Sequence, residues 1–406
     1  MYLNKYEERM YNGEYGEIIA KAMRIIVKVG ESLGARRLVN IEHAHISGVG
    51  YSNLGEAGLA LLRDLVSENT KFTVYTTANP GSVDLESHKY FTYDEEFLKK
   101  QLEILELYRM MGVEAFTCTP YHLREPRLGE HLAWAESNAV LIANSVYGAR
   151  TNREAGPLAL FSAIVGKTYY GGLHLKSERV PKIKISVASI RDSFLEAGLL
   201  GLLVGRLAKE KIPFVSGIGK ISFEKIKTFL AATGSTGSMG MVFIEKITPL
   251  ERSFSEISDY IEESIEIEHK DLKIHYEEEP YLCDEPEAFL IGCPHASIEI
   301  IRDLKALISE IPGVLKKPVW LVIPSVYFES RELREDLDYL RNRGFIILRN
   351  ICPVISPLSK LGYKCVGTIS SKALFYMPRL AGVRVALMDL RDLIFSAYGV
   401  QSLHRS

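Results

Sequence analysis

The run AFLIGCPHASIEIIRDLKALISEIPGVLKKPVWLVIPSVYFESRELREDLDYLRNRGFIIL, residues 288–348, alternates short apolar strands with helix-like segments. Strands are expected over 288–291, 318–323 and 345–348, and helices over 298–308 and 330–343. A further strand over 364–369, a helix from Lys372 and a strand over 384–387 continue the alternation. Such alternation builds parallel sheets covered by helices, so the fold class is α/β.

Upstream the pattern is the same. Helices are expected over 16–34, 54–65, 97–111, 134–143, 190–209 and 223–232, with strands over 37–41, 72–76, 113–116, 183–187, 214–218 and 241–244. Gly198, Gly201 and Gly205 in one helix imply close packing. His43 and His45 sit at i, i+2 on a strand end and so share a face. A metal pair is conceivable there, but ordinary strand-end histidines are the stronger reading. The loop TGSTGSMG, 233–240, lies between a helix and a strand and lacks GK[ST], which favours backbone packing or substrate approach over nucleotide binding. The charged segment 255–287 reads as a surface helix followed by a connector. It divides the chain into 1–275, itself two subdomains carrying Cys118, and a C-terminal α/β domain, 276–406, carrying Cys293 and Cys352.

Bulk composition narrows the function classes. The chain has 406 residues, 47% hydrophobic and 25% charged, with a formal net charge of −2. That balance, with no Lys/Arg block, argues against nucleic acid as the main partner. No apolar run reaches the ~18 residues needed to span a bilayer, and the polar N-terminus lacks the apolar core of a signal peptide. A cytoplasmic protein is expected, with its five cysteines kept as thiols.

Three of those cysteines share a setting. EAFTCTP (114–120), FLIGCPH (289–295) and FIILRNICP (345–353) each end an apolar strand in a cysteine, with proline one or two residues later. Proline stops the strand and can open a helix. Cys118, Cys293 and Cys352 should therefore project from carboxyl ends of strands, where parallel sheets place their ligands. Cys283 and Cys365 lack this context. Three thiolates do not fill a closed zinc site, whereas they suit an iron–sulfur cluster with one iron open. Buried structural thiols remain the alternative.

In combination, SGVGY (47–51), GEAG (55–58), TTANPGSVD (76–84), TCTPY (117–121), AESNAV, NSVYGARTNRE, GCPH (292–295), the Cys352-Pro pair and SSKALFY (370–376) resemble the aconitase X family, in its archaeal type. The resemblance covers nearly the whole chain. It implies an aconitase-like fold of several α/β units around a [4Fe-4S] cluster held by Cys118, Cys293 and Cys352. It also implies a dehydratase (hydro-lyase) large subunit acting on (R)-5-phosphomevalonate and giving trans-anhydromevalonate 5-phosphate in a modified mevalonate pathway. The catalytic base would come from a separate small subunit carrying the swivelling domain, since this sequence stops at Ser406 just after its C-terminal unit.

The polar loops supply the remaining candidates. Gly48, Val49 and Gly50 permit close backbone approach, Asn79-Pro80 gives a rigid amide, and Ser137 and Asn138 can bond a hydroxyl or carboxylate. Arg150, Arg153 and Lys372 can meet anions. His45, His295 and Glu136 are the best internal substitutes for the base. A cis-3-hydroxy-L-proline dehydratase of the same family is the alternative enzyme. A non-enzymatic iron–sulfur sensor is disfavoured by the missing basic stripe.

Overall fold

The structure, a computed structural model, describes residues 1–83, 91, 93–249 and 257–400. Asp84 of the TTANPGSVD motif and the first two residues of the charged run, 255–256, lie outside the described residues.

Among the described residues the N-terminal part carries six strands: β1 Leu38–Asn40, β2 His43–Ile46, β3 Tyr75–Ala78, β4 Ala115–Phe116, β5 Leu132–Trp134 and β6 Lys167–Tyr169. Four form a parallel sheet in the order β4-β3-β2-β5, while β1 and β6 pair antiparallel beside it. The second sheet, β10-β7-β8-β9, is parallel and uses β7 Ile183–Val187, β8 Pro213–Ser216, β9 Phe243–Ile244 and β10 Glu263–Ile267. A third parallel sheet, β13-β12-β11-β14-β15, takes β11 Ala288–Ile291, β12 Val319–Ile323, β13 Ile346–Arg349, β14 Cys365–Thr368 and β15 Arg384–Leu387. One buried apolar cluster reaches all three, from Leu132 through Ile185 to Leu290. The units therefore share a core rather than hanging on linkers.

Expectation and structure agree where the apolar run is continuous, as in β11 and β12, and also in the alternating strand β7 and in β15. The expected helix over 134–143 is shifted: residues 132–134 are strand β5, and the helix is Ser137–Ser145, capped by the Glu136 side chain on the Ala139 N–H (2.7 Å). In the charged run, residues 263–267 form strand β10 beside β7 in the second sheet, and the expected surface helix is confined to His269–Glu277. The glycine-rich loop is largely absent as a loop, since the helix Phe223–Thr236 runs through its first four residues. Close packing of the helix Phe194–Ala208 holds. A Cβ on Gly201 would sit 2.3 Å from the Phe229 carbonyl, and one on Gly205 2.5 Å from that of Thr233.

Cys283 and Cys365 are joined in a disulfide, not kept as thiols. Leu282 makes a parallel bridge to Val385 of β15, and Cys365 is opposite Arg384 of the same strand, so neighbouring rungs bring the two Cα atoms within 6.2 Å. The bond closes a loop spanning 82 residues. Loop-closure entropy alone then gives about 4.5 kcal/mol of stabilisation. Cys283→Ser is expected to lower the unfolding midpoint in denaturant, and to make it insensitive to added reductant. An unchanged midpoint would show the bond to be absent in solution.

Candidate active site

Seven of the strands deliver their carboxyl ends to one place. A cavity of ≈ 270 Å³ is lined by Ser47 after β2, Asn79 and Pro80 after β3, Cys118 after β4, and Ala135, Glu136 and Ser137 after β5. From the third sheet come Gly292, Cys293, Pro294 and His295 after β11, residues 351–355 after β13, and Lys372 after β14, with Tyr376 and Leu380 further along its helix. Arg153 completes the wall. All three cysteines of the strand–Cys–Pro settings face this one cavity.

Their surroundings are built for sulfur. Pro120 and Pro353 open short helical turns directly after Cys118 and Cys352. Pro294 instead follows Cys293 through a cis bond, and the next helix begins only at Ile298. Gly292, at φ 120°, gives the turn that presents Cys293, and a Cβ there would lie 2.3 Å from the Val322 carbonyl. Cys118 Sγ accepts from the His295 N–H (3.2 Å), while the Ser370 hydroxyl beside Cys293 and the Ile355 and Val354 N–H groups beside Cys352 favour the ionised thiols there. Burial raises the pKa of all three thiols, that of Cys352 to about 12. Among the described residues, no three His, Cys, Asp or Glu are gathered as for a single metal ion. Three soft donors from three strand ends around one cavity fit a polynuclear cluster.

The two halves are also tied directly. The Cys352 N–H donates to the Gly81 carbonyl (2.8 Å), and Ser356 Oγ donates to the Ser82 carbonyl (2.6 Å). Gln101, fully buried, braces the same loops: its Oε1 accepts from the Tyr51 N–H (2.9 Å) and Ser82 Oγ (2.8 Å), while its Nε2 donates to the Val49 carbonyl (3.2 Å). Nothing in the sequence singled out Gln101.

Several expected contacts fall elsewhere. Gly48, Val49 and Gly50 do not line the cavity: Val49 is buried and braced by Gln101, Gly50 caps the next helix, and Ser47 takes the lining position. Asn138 turns into the core and donates to the Tyr121 hydroxyl (2.8 Å). Arg150 lies outside the cavity wall and donates to the His174 carbonyl (2.8 Å). Arg153 is the arginine at the cavity, held by the carbonyls of Gly237 (2.8 Å) and Gly234 (2.9 Å). The glycine-rich stretch therefore offers carbonyls at a helix C-terminus, the negative end of the dipole, and it binds a cation instead of a phosphate.

Lys372 faces the cavity, and its ammonium is paired with Glu136 rather than free. Glu136 pairs with neither arginine. Burial alone would raise the Glu136 pKa, but Lys372 and the Ala139 N–H pull it below the usual carboxylate range. Burial likewise opposes the Lys372 charge, and the Glu136 carboxylate more than restores it. The internal base candidates are thus committed. Glu136 is ionised and paired. His295 Nε2 donates to the Ile351 carbonyl (3.2 Å), which leaves Nδ1 to accept from Thr117 Oγ1 (3.2 Å). His45 bonds through both ring nitrogens, to Thr77 Oγ1 (2.8 Å) and Asn79 Oδ1 (2.9 Å). His43 and His45 both bond Thr77 Oγ1, and among the described residues no third His, Cys, Asp or Glu joins them as for a metal ion. Burial holds both His45 and His295 down to about 4.

A parallel α/β scaffold with three thiols converging at strand ends defines an aconitase-like protein. The chain belongs to the aconitase X family: residues 1–177, 181–277 and 286–399 match the models of aconitase X first, second and third domains. These segments coincide with the units built on the three large sheets. It is 38% identical to the phosphomevalonate dehydratase large subunit of Thermococcus kodakarensis, over 98% of this chain and 100% of that one. Identity to the Methanocaldococcus jannaschii phosphomevalonate dehydratase large subunit is 37%, over 97% and 99%. The cis-3-hydroxy-L-proline dehydratase of Pseudomonas aeruginosa is 30% identical over 98% of this chain but only 70% of its own length. The crystal structure of Thermococcus kodakaraensis aconitase X in its holo-form superposes with a TM-score of 0.88 at 37% identity, covering 98% of this chain and 100% of that one. No helix among the described residues is long and apolar enough to cross a membrane.

Proposed function

We propose that this chain is the large subunit of a hydro-lyase that dehydrates (R)-5-phosphomevalonate to trans-anhydromevalonate 5-phosphate, an isoprenoid-pathway step of the cytoplasm. One observation carries the substrate choice. Phosphomevalonate dehydratase large subunits are 35–38% identical over 98–100% of their length, whereas hydroxyproline dehydratases reach 30–31% over 64–70% of theirs.

In this reading Cys118, Cys293 and Cys352 hold a [4Fe-4S] cluster. When bound there, the cluster supplies a Lewis acid that makes the tertiary hydroxyl of the substrate a better leaving group. Asn79, Ser137 and Ser47 provide amide and hydroxyl groups for the carboxylate and hydroxyl oxygens. Arg153, with two of its five N–H groups given to carbonyls, keeps others for an anionic group. Lys372 and Glu136 enter as a neutralised pair that shapes the field without adding net charge. Because His45, His295 and Glu136 are all committed, the base that removes the proton next to the carboxylate comes from a small partner subunit with a swivelling domain. The naming of the relatives as large subunits supports such a partner.

Anaerobic turnover of mevalonate 5-phosphate and of cis-3-hydroxy-L-proline, with and without the small subunit, tests this. Activity on the phosphorylated substrate alone, and only with the partner, is expected. Turnover of the hydroxyproline, or full activity without the partner, would overturn it. In the same assay Arg153→Ala is expected to cost about 2 kcal/mol in kcat/KM, the size of a lost charged contact to an anion. Arg150→Ala is expected to leave kcat/KM within about threefold, a difference worth under 1 kcal/mol. The reverse ranking would return the anion contact to Arg150.

A further inference from the structure

We propose that His43, Thr77 and His45 form a polarised hydrogen-bond chain that locks the Asn79 amide with its NH2 group turned to the cavity, making Asn79 a donor-only contact for a substrate oxygen. The inference rests on the reading of this cavity as a substrate site, and it adds three positioning residues that touch no ligand themselves.

Each link fixes the next. The chain runs from His43 Nε2 to Thr77 Oγ1 (2.9 Å), from Thr77 Oγ1 to His45 Nδ1 (2.8 Å), and from His45 Nε2 to Asn79 Oδ1 (2.9 Å). A carboxamide oxygen only accepts, so the proton of His45 is on Nε2. Its Nδ1 is then a bare lone pair and takes the Thr77 hydroxyl proton. That hydroxyl has one proton, already given, so it accepts from His43 Nε2–H. The last atom, His43 Nδ1, has no partner and is left as a lone pair, not as an orphaned N–H. Turning the amide over would reverse every link and bury an unpaired N–H donor at His43.

The setting makes the chain rigid. His43, Thr77 and His45 are completely buried. They occupy matched rungs of adjacent parallel strands, with His45 opposite Thr77. Trp134 packs edge-on against both imidazoles, at centroid distances of 5.1 and 6.2 Å. Burial lowers the pKa of both rings, His45 to about 4, so neither acquires a second proton near neutrality to scramble the polarity. Only Asn79, at the end of β3, reaches the cavity, and its Nδ2 has no protein partner among the described residues. A donor in a fixed direction selects carboxylate or hydroxyl oxygens and rejects groups that must donate, the ammonium of a cyclic amino acid among them.

Two measurements test the chain. Nitrogen-15 NMR of histidine-labelled protein should show His43 and His45 neutral with the proton on Nε2 at pH 6 to 8, assigned by loss of each signal in His43→Gln and His45→Gln. A proton on His45 Nδ1 overturns the proposal whatever the substrate proves to be. In the assembled enzyme, Thr77→Val keeps the side-chain shape but breaks two links. It should lower kcat/KM for mevalonate 5-phosphate about tenfold, and Thr77→Ser should restore it. In an Asn79→Ala background the same Thr77→Val change should have no further effect, because the chain acts through that amide. An undiminished loss in that background, or no loss in the single variant, overturns the chain. If Thr77→Val does not fold, His45→Gln carries the same cycle. A wild-type enzyme inactive on mevalonate 5-phosphate would instead count against the functional reading, and the NMR result would still decide the chain.

Discussion

Cys118→Ser, Cys293→Ser and Cys352→Ser are each expected to remove the brown thiolate-to-iron absorption of anaerobically purified protein and its dehydratase activity, while Cys283→Ser keeps the colour. Among the described residues, the three thiols are the only soft donors facing the cavity, and each comes from a different strand end. A serine hydroxyl is a hard donor that stays protonated near neutrality, and it cannot replace a soft thiolate as a ligand to iron. Cys293→Ser is the most severe case, since its position depends on the positive-φ turn at Gly292. Iron and sulfide analysis checks this directly, with close to four irons per chain expected in the wild type for a [4Fe-4S] group. A full cluster in all three single variants, or a colourless wild type, would sink the ligand assignment.

Much of this site was legible because its signals are local. A strand running into Cys-Pro is a short-range pattern, and the strands β11 and β12 are unbroken apolar runs that tertiary packing only confirms. What the sequence concealed is long-range. Glu136 and Lys372 are 236 residues apart, and nothing local to either marks the other as its partner. Cys283 and Cys365 meet only because the chain segment at Leu282 runs beside β15. Arg150 and Arg153 look alike three residues apart, and their fates separate because carbonyls of a distant helix end capture one of them. Gln101 reads as one more polar residue on an amphipathic helix until the loops it braces are seen in space. The strand at 263–267 was masked by its charge: as an edge strand of the second sheet it keeps three glutamate and serine side chains exposed.

Lys372→Met is expected to destabilise the chain by about 3–5 kcal/mol, the cost of leaving a buried carboxylate without its counter-charge. Glu136 is only 5% exposed and Lys372 13%, so solvent cannot stand in for the lost partner. The pair also joins the first and third units, because Glu136 follows β5 and caps its helix while Lys372 follows β14. The double variant Glu136→Gln/Lys372→Met should recover most of the loss, since the amide oxygen can still accept the Ala139 N–H and no charge remains buried. The pH dependence follows from the direction of the Glu136 shift. Its pKa is depressed in the folded chain, so the wild-type pair contributes fully above the ordinary carboxylate range and is lost as pH falls through the folded value. In Lys372→Met the remaining burial raises that pKa instead, so the deficit should be largest near neutral pH and shrink as the carboxyl takes up a proton in mild acid. Denaturant unfolding of wild type, single and double variants at pH 5 and pH 7.5 measures each of these differences. Equal stability of Lys372→Met and wild type at pH 7.5 would show the pair to be dispensable, and would leave Lys372 free to meet a substrate anion.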